Sequence, residues 1–207
     1  MLNRQQALEL LHSHMKNENL RRHCYSVEIV MKALAKYFSA KGGSASSRQE
    51  DEEKWGIVGL LHDGDYEECK NNPSQHTLLM AKWLNEIGET DKELLDAILS
   101  HNYAHLDRQS LGEGGVGTHP PQNNLEWSLY CCDELTGLIV AVALVKGKSL
   151  NNVTVESILK KFPEKNFAAG VDREQIGKCE GKLGIKLADF VAIALTSMQS
   201  ISKELGL

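Results

Sequence analysis

Proline is scarce in this 207-residue chain, with four residues, so few positions forbid a continuing helix. Cysteine is thin as well. Five thiols, at 24, 69, 131, 132 and 179, are odd in number and contain no CxxC pair, which argues against a disulfide framework. They read as small buried hydrophobes rather than ligands. The longest uninterrupted apolar run, Leu138 to Val145, has eight residues and is too short to span a bilayer. The opening segment MLNRQQALELLHSHMKNEN has no apolar stretch of the kind a secretory signal needs. The expectation is a cytoplasmic protein with reduced thiols and no membrane partner. A basic excess is also missing: 23 Lys and Arg against 28 Asp and Glu give a net charge of -5, which excludes a global grip on bulk nucleic acid.

What is present is ordinary globular composition, 42% hydrophobic and 25% charged, in a chain long enough to bury a core without disulfides. Helical periodicity dominates, and no segment sustains strand alternation. The pattern predicts helices over residues 4–14, 20–38 and 50–61. Asn72 and Pro73 read as cap and first turn of a helix reaching about Ile87. Thr90 with Glu93 reads as a capping box opening a helix to His101. Further helices are expected over residues 125–146, 153–162, 172–183 and 186–205. Lys41 to Arg48 reads as a mobile small-residue connector, and Ser110 to Asn124, with four glycines and a Pro-Pro, as a lid-like loop. The expected fold is a single all-α domain over 1–207. Charge is uneven within it. Residues 50–96 hold thirteen acids and four bases, whereas residues 146–173 hold six bases and three acids. The basic stretch reads as a solvated face or as a surface that meets an anionic ligand.

There are eight histidines, and their placement is informative. His23 shares the stripe of Leu20, Val27, Val30 and Leu34. His62 ends the run GIVGLL. His76 leads Leu79, Met80, Trp83 and Ile87, and His101 trails Leu94, Ala97 and Ile98. Asp133 leads Gly137, Val140 and Leu144. Each polar residue thus points where its helix points its hydrophobes. An unpaired buried carboxylate costs several kcal/mol or neutralises. Four histidines and two aspartates directed inward are more simply explained by shared cations. Mixed imidazole and carboxylate suit Fe, Mn, Zn or Ni. Neighbours on a helix differ by about 100°, so His62 and Asp63 reach one ion only at a helix end, where Gly64 lets the chain turn. An Asp there can bridge two metals. Six ligands are too many for one open tetrahedral ion but suit a pair, roughly 3.5–4 Å apart, that activates hydroxide for attack on phosphorus.

His23, then LLHDGDYE with His62 and Asp63, then Asp133 in CDELTGLIVAVAL resembles the H…HD…D signature of HD-domain metal-dependent phosphohydrolases. His76 in QHTLLMAKWL and His101 in AILSHN resemble the two further histidines of the binuclear branch, which includes HD-GYP cyclic dinucleotide phosphodiesterases and mixed-valent di-iron oxygenases. The resemblance covers roughly residues 20–146, with 147–207 as C-terminal helices packing on that core. It implies a helical bundle with the ligands at its centre, and His23, His62, Asp63, His76, His101 and Asp133 as metal ligands. The common HDIGK is here HDGDY, and the GYP and HHE segments are absent. The chain is nearer to small bacterial HD hydrolases that carry LHDxDYE and DELTG segments.

Among secondary residues, Asp65 orients the attacking water, holds a ligand histidine, or is a solvated acid. Glu134 is expected to pair with a base, and Gly137 to permit close helix approach. Lys160, Lys161, Lys165 and Arg173 are candidate phosphate contacts or plain surface charge. His12 and His14 read as solvated, while His105 and His119 enter the site if the long loop closes. The expected function is hydrolysis of a small phosphate ester, with nucleotides among the candidates, by metal-activated hydroxide, with Asp63 and Asp65 as the catalytic carboxylates. The alternatives are di-iron oxidation of a small polar substrate and a non-catalytic sensor whose metal organises a ligand pocket.

Overall fold

Asn3 opens the first helix with a capping box, its side chain accepting from the Gln6 amide while Gln6 returns a bond to the Asn3 amide. In the computed structural model, which describes residues 2–40, 45–103 and 120–207, this helix is α1, Arg4–His14. It leads into α2, Glu18–Ser39, and α3, Ala45–Leu61, whose side chains are described from Gln49 onward. Then follow α4, Tyr66–Cys69; a 3-10 turn, Pro73–Gln75; α5, Leu78–Glu86; and α6, Lys92–His101. After them come α7, Asn124–Val145; a 3-10 turn, Leu150–Asn152; α8, Val155–Lys161; α9, Arg173–Lys178; α10, Leu187–Ser200; and α11, Ser202–Leu205. The described residues form an all-α bundle without strands, around one hydrophobic core that runs from Leu2 to Leu205.

The tightest pairing is α2 against α3. A Cβ at Gly59 would lie 2.9 Å from the backbone of Val27, so glycine is what lets these helices approach. That approach brings the middle of α2 against the end of α3, where His62 stands. Helix α7 crosses both and also packs on α6 and α9. It is long and apolar enough to cross a membrane by length and composition, yet it is mostly buried in the bundle. Its least buried face is the stripe of Asp133, Gly137, Val140 and Leu144, with Leu144 half exposed. The stripe that the sequence assigned to the core therefore faces outward from it, and the deepest side of α7 carries Leu135, Leu138, Ile139 and Val142 instead.

Other details differ from the sequence expectation for local reasons. Asp91, not Thr90, caps α6, its carboxylate accepting from the amides of Glu93 and Leu94. Asn72 makes no cap bond, and Pro73 opens only the 3-10 turn. The chain then reverses at Thr77, whose φ of 70° is uncommon for a β-branched residue, before α5 begins. His76 thus lies between two elements rather than on a helical stripe. Gly64 does not adopt a left-handed backbone. Its lack of a side chain makes room for Met80, whose sulfur would sit 2.7 Å from an added Cβ. The expected helix over 172–183 continues past Lys178 as a π turn, Cys179–Leu183, which Gly184 ends at φ 65°. The five cysteines are free and buried. Of the expected connector over 41–48, residues 41–44 lie outside the described residues, while 45–48 already belong to α3. Most of the long loop, with His105 and His119, also lies outside the described residues.

Candidate metal centre

Five places in the fold deliver the site. The second turn of α2 supplies His23, the turn directly after α3 supplies His62 and Asp63, and α7 supplies Asp133. His76 comes from the reversal before α5 and His101 from the last turn of α6. All six side chains meet. His23 Nε2 lies 2.9 Å from Asp133 Oδ1 and 3.6 Å from Asp63 Oδ2. His62 Nε2 lies 3.4 Å and 3.7 Å from the same two oxygens. The other oxygen of Asp63, Oδ1, faces His76 Nε2 at 3.2 Å and His101 Nε2 at 3.5 Å. Ligand atoms of His23, His62 and Asp63, of His62, His101 and Asp133, and of Asp63, His76 and His101 each converge within 4.8 Å, which can hold a metal ion.

The outer edges of the imidazoles explain the inward convergence. Nδ1 of His62 bonds the Gly59 carbonyl at 2.8 Å, and Nδ1 of His101 bonds the Ile98 carbonyl at 2.6 Å. Carbonyls only accept, so both Nδ1 atoms carry the proton. Nδ1 of His76 donates to Asp65 Oδ1 at 2.7 Å. Thr136 donates its hydroxyl to the Asp133 carbonyl at 2.8 Å, which leaves its oxygen to accept from His23 Nδ1 at 3.3 Å. Whenever one of these rings is neutral, its Nε2 is a bare lone pair aimed at the centre. His23 and His62 bring two such atoms within 3.2 Å of each other. Two lone pairs at that separation repel unless a positive charge lies with them. Outward Nδ1–H bonds with inward Nε2 are the arrangement that fixes a ligating histidine.

Without a metal, protons supply that charge. Burial opposes ionisation of His62, but Asp63 and Asp133 outweigh it and push its pKa to about 9. Burial is likewise outweighed at His76 by Asp63 and Asp65, which raise it to about 10. His101 is pushed down by burial, with the charges of His62 and His76 adding to the effect. Both carboxylates are held below their ordinary range despite burial, Asp63 by His62 and then His101 and His76, Asp133 by His23 and His62.

The centre forms the floor of a cavity of about 550 Å³. Asp65 does not line it. Its side chain is wholly buried, with Oδ1 on His76 and Oδ2 accepting from the Met80 amide at 2.9 Å. Of its three sequence readings, the geometry is that of the residue that holds a ligand histidine. Glu134 does line the cavity, but among the described residues it pairs with no base: its Oε2 accepts from the Asp172 amide at 2.8 Å, and burial, with Asp133 beside it, raises its pKa. Gly137 also lines the cavity, and a Cβ there would make only ordinary contact with Val171, so no close helix approach depends on it.

The structure does not bring the C-terminal bases to this cavity. Lys161 pairs with Glu164 at 2.6 Å and lies over the Phe167 ring, while Lys160 and Lys165 are exposed away from the lining. Arg173 spends its guanidinium on the carbonyls of Phe162, Phe167, Ala168 and Val171. Nearness in sequence charge was no guide, because these groups close their own loop. His14 stacks on Trp83 and bonds Glu68 rather than facing solvent alone, and His12 bonds the Tyr25 hydroxyl. Lysine instead enters the cavity wall at Lys70, with Tyr66 one turn earlier, a pair the spacing i, i+4 within HDGDYEECK makes visible. Thr136 had a weaker signal, three residues after Asp133. Gln175, which donates to the Tyr130 carbonyl at 2.7 Å and lines the cavity, had none. Compared with known proteins, the chain matches no family model, and neither a curated protein nor a solved structure matches it, so the functional reading rests on the site's own geometry.

Proposed function

We propose that this chain is an HD-type, metal-dependent phosphohydrolase acting on a small phosphate ester. The observation that carries the reading is the position of Asp63 between two sets of imidazoles, one oxygen toward His23 and His62 and the other toward His76 and His101. A carboxylate so placed suits two divalent transition ions, one held by His23, His62, Asp133 and Asp63, the other by His76, His101 and Asp63. When bound, such ions supply Lewis acidity, lowering the pKa of water and polarising a phosphoryl oxygen.

The chain's own groups provide the rest. The outward Nδ1 bonds lock four rings before any substrate arrives, so little reorganisation is left to the reaction. Asp65 sets the tautomer and direction of His76 without meeting the substrate. The cavity volume suits a small molecule rather than a polymer. Glu134 and Gln175 give it a polar side wall.

The test is elemental analysis of the purified protein, then phosphate release from p-nitrophenyl phosphate, nucleotides and sugar phosphates with Mn or Ni added. The expected result is bound transition metal and metal-dependent phosphate release that Asp63→Asn abolishes. Stoichiometric iron with O₂ consumption and no phosphate release would replace hydrolysis with oxidation. A protein that takes up no metal ends both.

A further inference from the structure

The cavity has a charged residue that the candidate metal centre does not use. The carboxylates of Asp63, Asp133 and Glu134 line its inner, partly buried part. Its rim, on the segment that begins with α4, is cationic and exposed. Lys70 is the one lysine or arginine among the described lining residues, and among the described residues it has no ion-pair partner.

This is unexpected for a lysine that follows two acids. Those acids are engaged elsewhere: Glu67 accepts from the amides of Lys16 and Asn17 at 2.8 and 2.9 Å, and Glu68 meets His14 at 2.7 Å. The turn between α1 and α2 therefore draws both carboxylates away and leaves the ammonium at the mouth. Tyr66, four residues earlier, is 49% exposed and rests edge-on against the His76 ring, with centroids 5.4 Å apart. Its phenol adds a second donor to the same wall.

A phosphate drawn to the floor by bound cations leaves the remainder of a small ester at the rim. We infer that Lys70, with Tyr66 beside it, is a specificity-determining site for a second anionic group, so that the preferred substrate is a small phosphate ester carrying another phosphate or a carboxylate. An anion beside Glu134 would meet a carboxylate; beside Lys70 it meets an ammonium. The inference rests on the phosphohydrolase reading for the word substrate, but the anion-binding rim can be tested apart from turnover.

The experiment compares wild type, Lys70→Gln and Lys70→Glu as full-length, metal-replete protein. Steady-state kinetics use phenyl phosphate, phosphoglycolate and a hexose bisphosphate, and calorimetry compares inorganic pyrophosphate with inorganic phosphate. In Lys70→Glu, KM for the doubly anionic esters rises about tenfold relative to phenyl phosphate, with kcat changing less, and the preference for pyrophosphate over phosphate falls by a similar factor. Lys70→Gln gives a smaller shift in the same direction. Whichever of phosphoglycolate and the bisphosphate depends more on Lys70 identifies the second anion as carboxylate or phosphate. If wild type hydrolyses none of the esters but its pyrophosphate preference still collapses in Lys70→Glu, the hydrolase reading fails and the anion rim stands. Equal KM ratios and equal pyrophosphate preference in all three proteins overturn the inference, as does a wild type that binds no pyrophosphate.

Discussion

Glu28 and His23 stand little more than one turn apart on α2, yet each belongs to a different buried charge cluster. Glu28, 4% exposed, is met by Arg4 Nε and by Lys32 Nζ, each at 2.5 Å from Oε1, and by Arg4 Nη2 at 3.0 Å from Oε2. Its charge is answered by cations that are part of the chain and stay charged across the physiological range. Around His23, the carboxylates Asp63 and Asp133 meet, among the described residues, imidazoles, which are cationic only after taking up a proton. The first cluster is complete as folded. The second gathers carboxylates and imidazoles that could hold a metal ion, and that difference in the kind of counter-charge is what the two clusters put to the test.

The sharpest way to break this comparison is to remove one carboxylate charge from each cluster. Asp63→Asn should lose stoichiometric metal altogether, read by elemental analysis, because both halves of the centre share that side chain. Glu28→Gln should keep its metal but lose about 2 kcal/mol of stability. That figure sits below the usual cost of breaking a buried pair because Arg4 is 46% exposed. A Glu28→Gln protein that lost its metal would erase the distinction.

Chelation comes next. Stripping the wild type should lower Tm by several degrees and leave His62 and His76 protonated at neutral pH, since their pKa values lie near 9 and 10. Metal added back in weak buffer should release acid. The sign of the pH effect follows. These two pKa values lie above the ordinary 6.5, so their contribution to metal-free stability is complete below that pH and is lost as pH rises through 9 to 10. Thermal melts across that range should show the loss in chelated protein and a weaker one in the loaded protein.

Asp65→Asn is subtler. It keeps an acceptor for His76 but turns an NH₂ toward the Met80 amide, and it should weaken one ion's affinity about tenfold while leaving the other in place, measured by competitive metal titration. The smallest effect is expected far from either cluster. Alanine at Lys160, Lys161 and Lys165 should leave kcat/KM within about twofold and stability within about 0.5 kcal/mol. A large loss there would return the C-terminal bases to the site.

Much of the fold was legible because it is written locally. The helix periods act within a few residues of themselves, whereas the caps read at Asn72 and Thr90 were not the ones the fold uses. The six converging side chains were legible for a related reason: a histidine or aspartate on an apolar stripe is anomalous wherever that stripe ends up. The misreadings have the same origin. Periodicity marked the Asp133 stripe of α7 as apolar but could not say whether it faced core or cavity, since α7 is apolar on nearly every side. At His76, residues spaced as in a helix hid the reversal at Thr77.

By itself, then, the sequence determined that the protein is helical and which six side chains converge. Tertiary structure alone decided how they converge and what surrounds them. Thr136 fixes the proton on His23 across 113 residues of chain, and the turn after α1 pairs the acids beside Lys70 across more than fifty. No local pattern encodes such partners, because a hydrogen bond depends on where two elements meet and not on how either one begins. The same reason moved the cavity's cation from the C-terminal lysines to Lys70: charge counted along the chain is not charge delivered to a site.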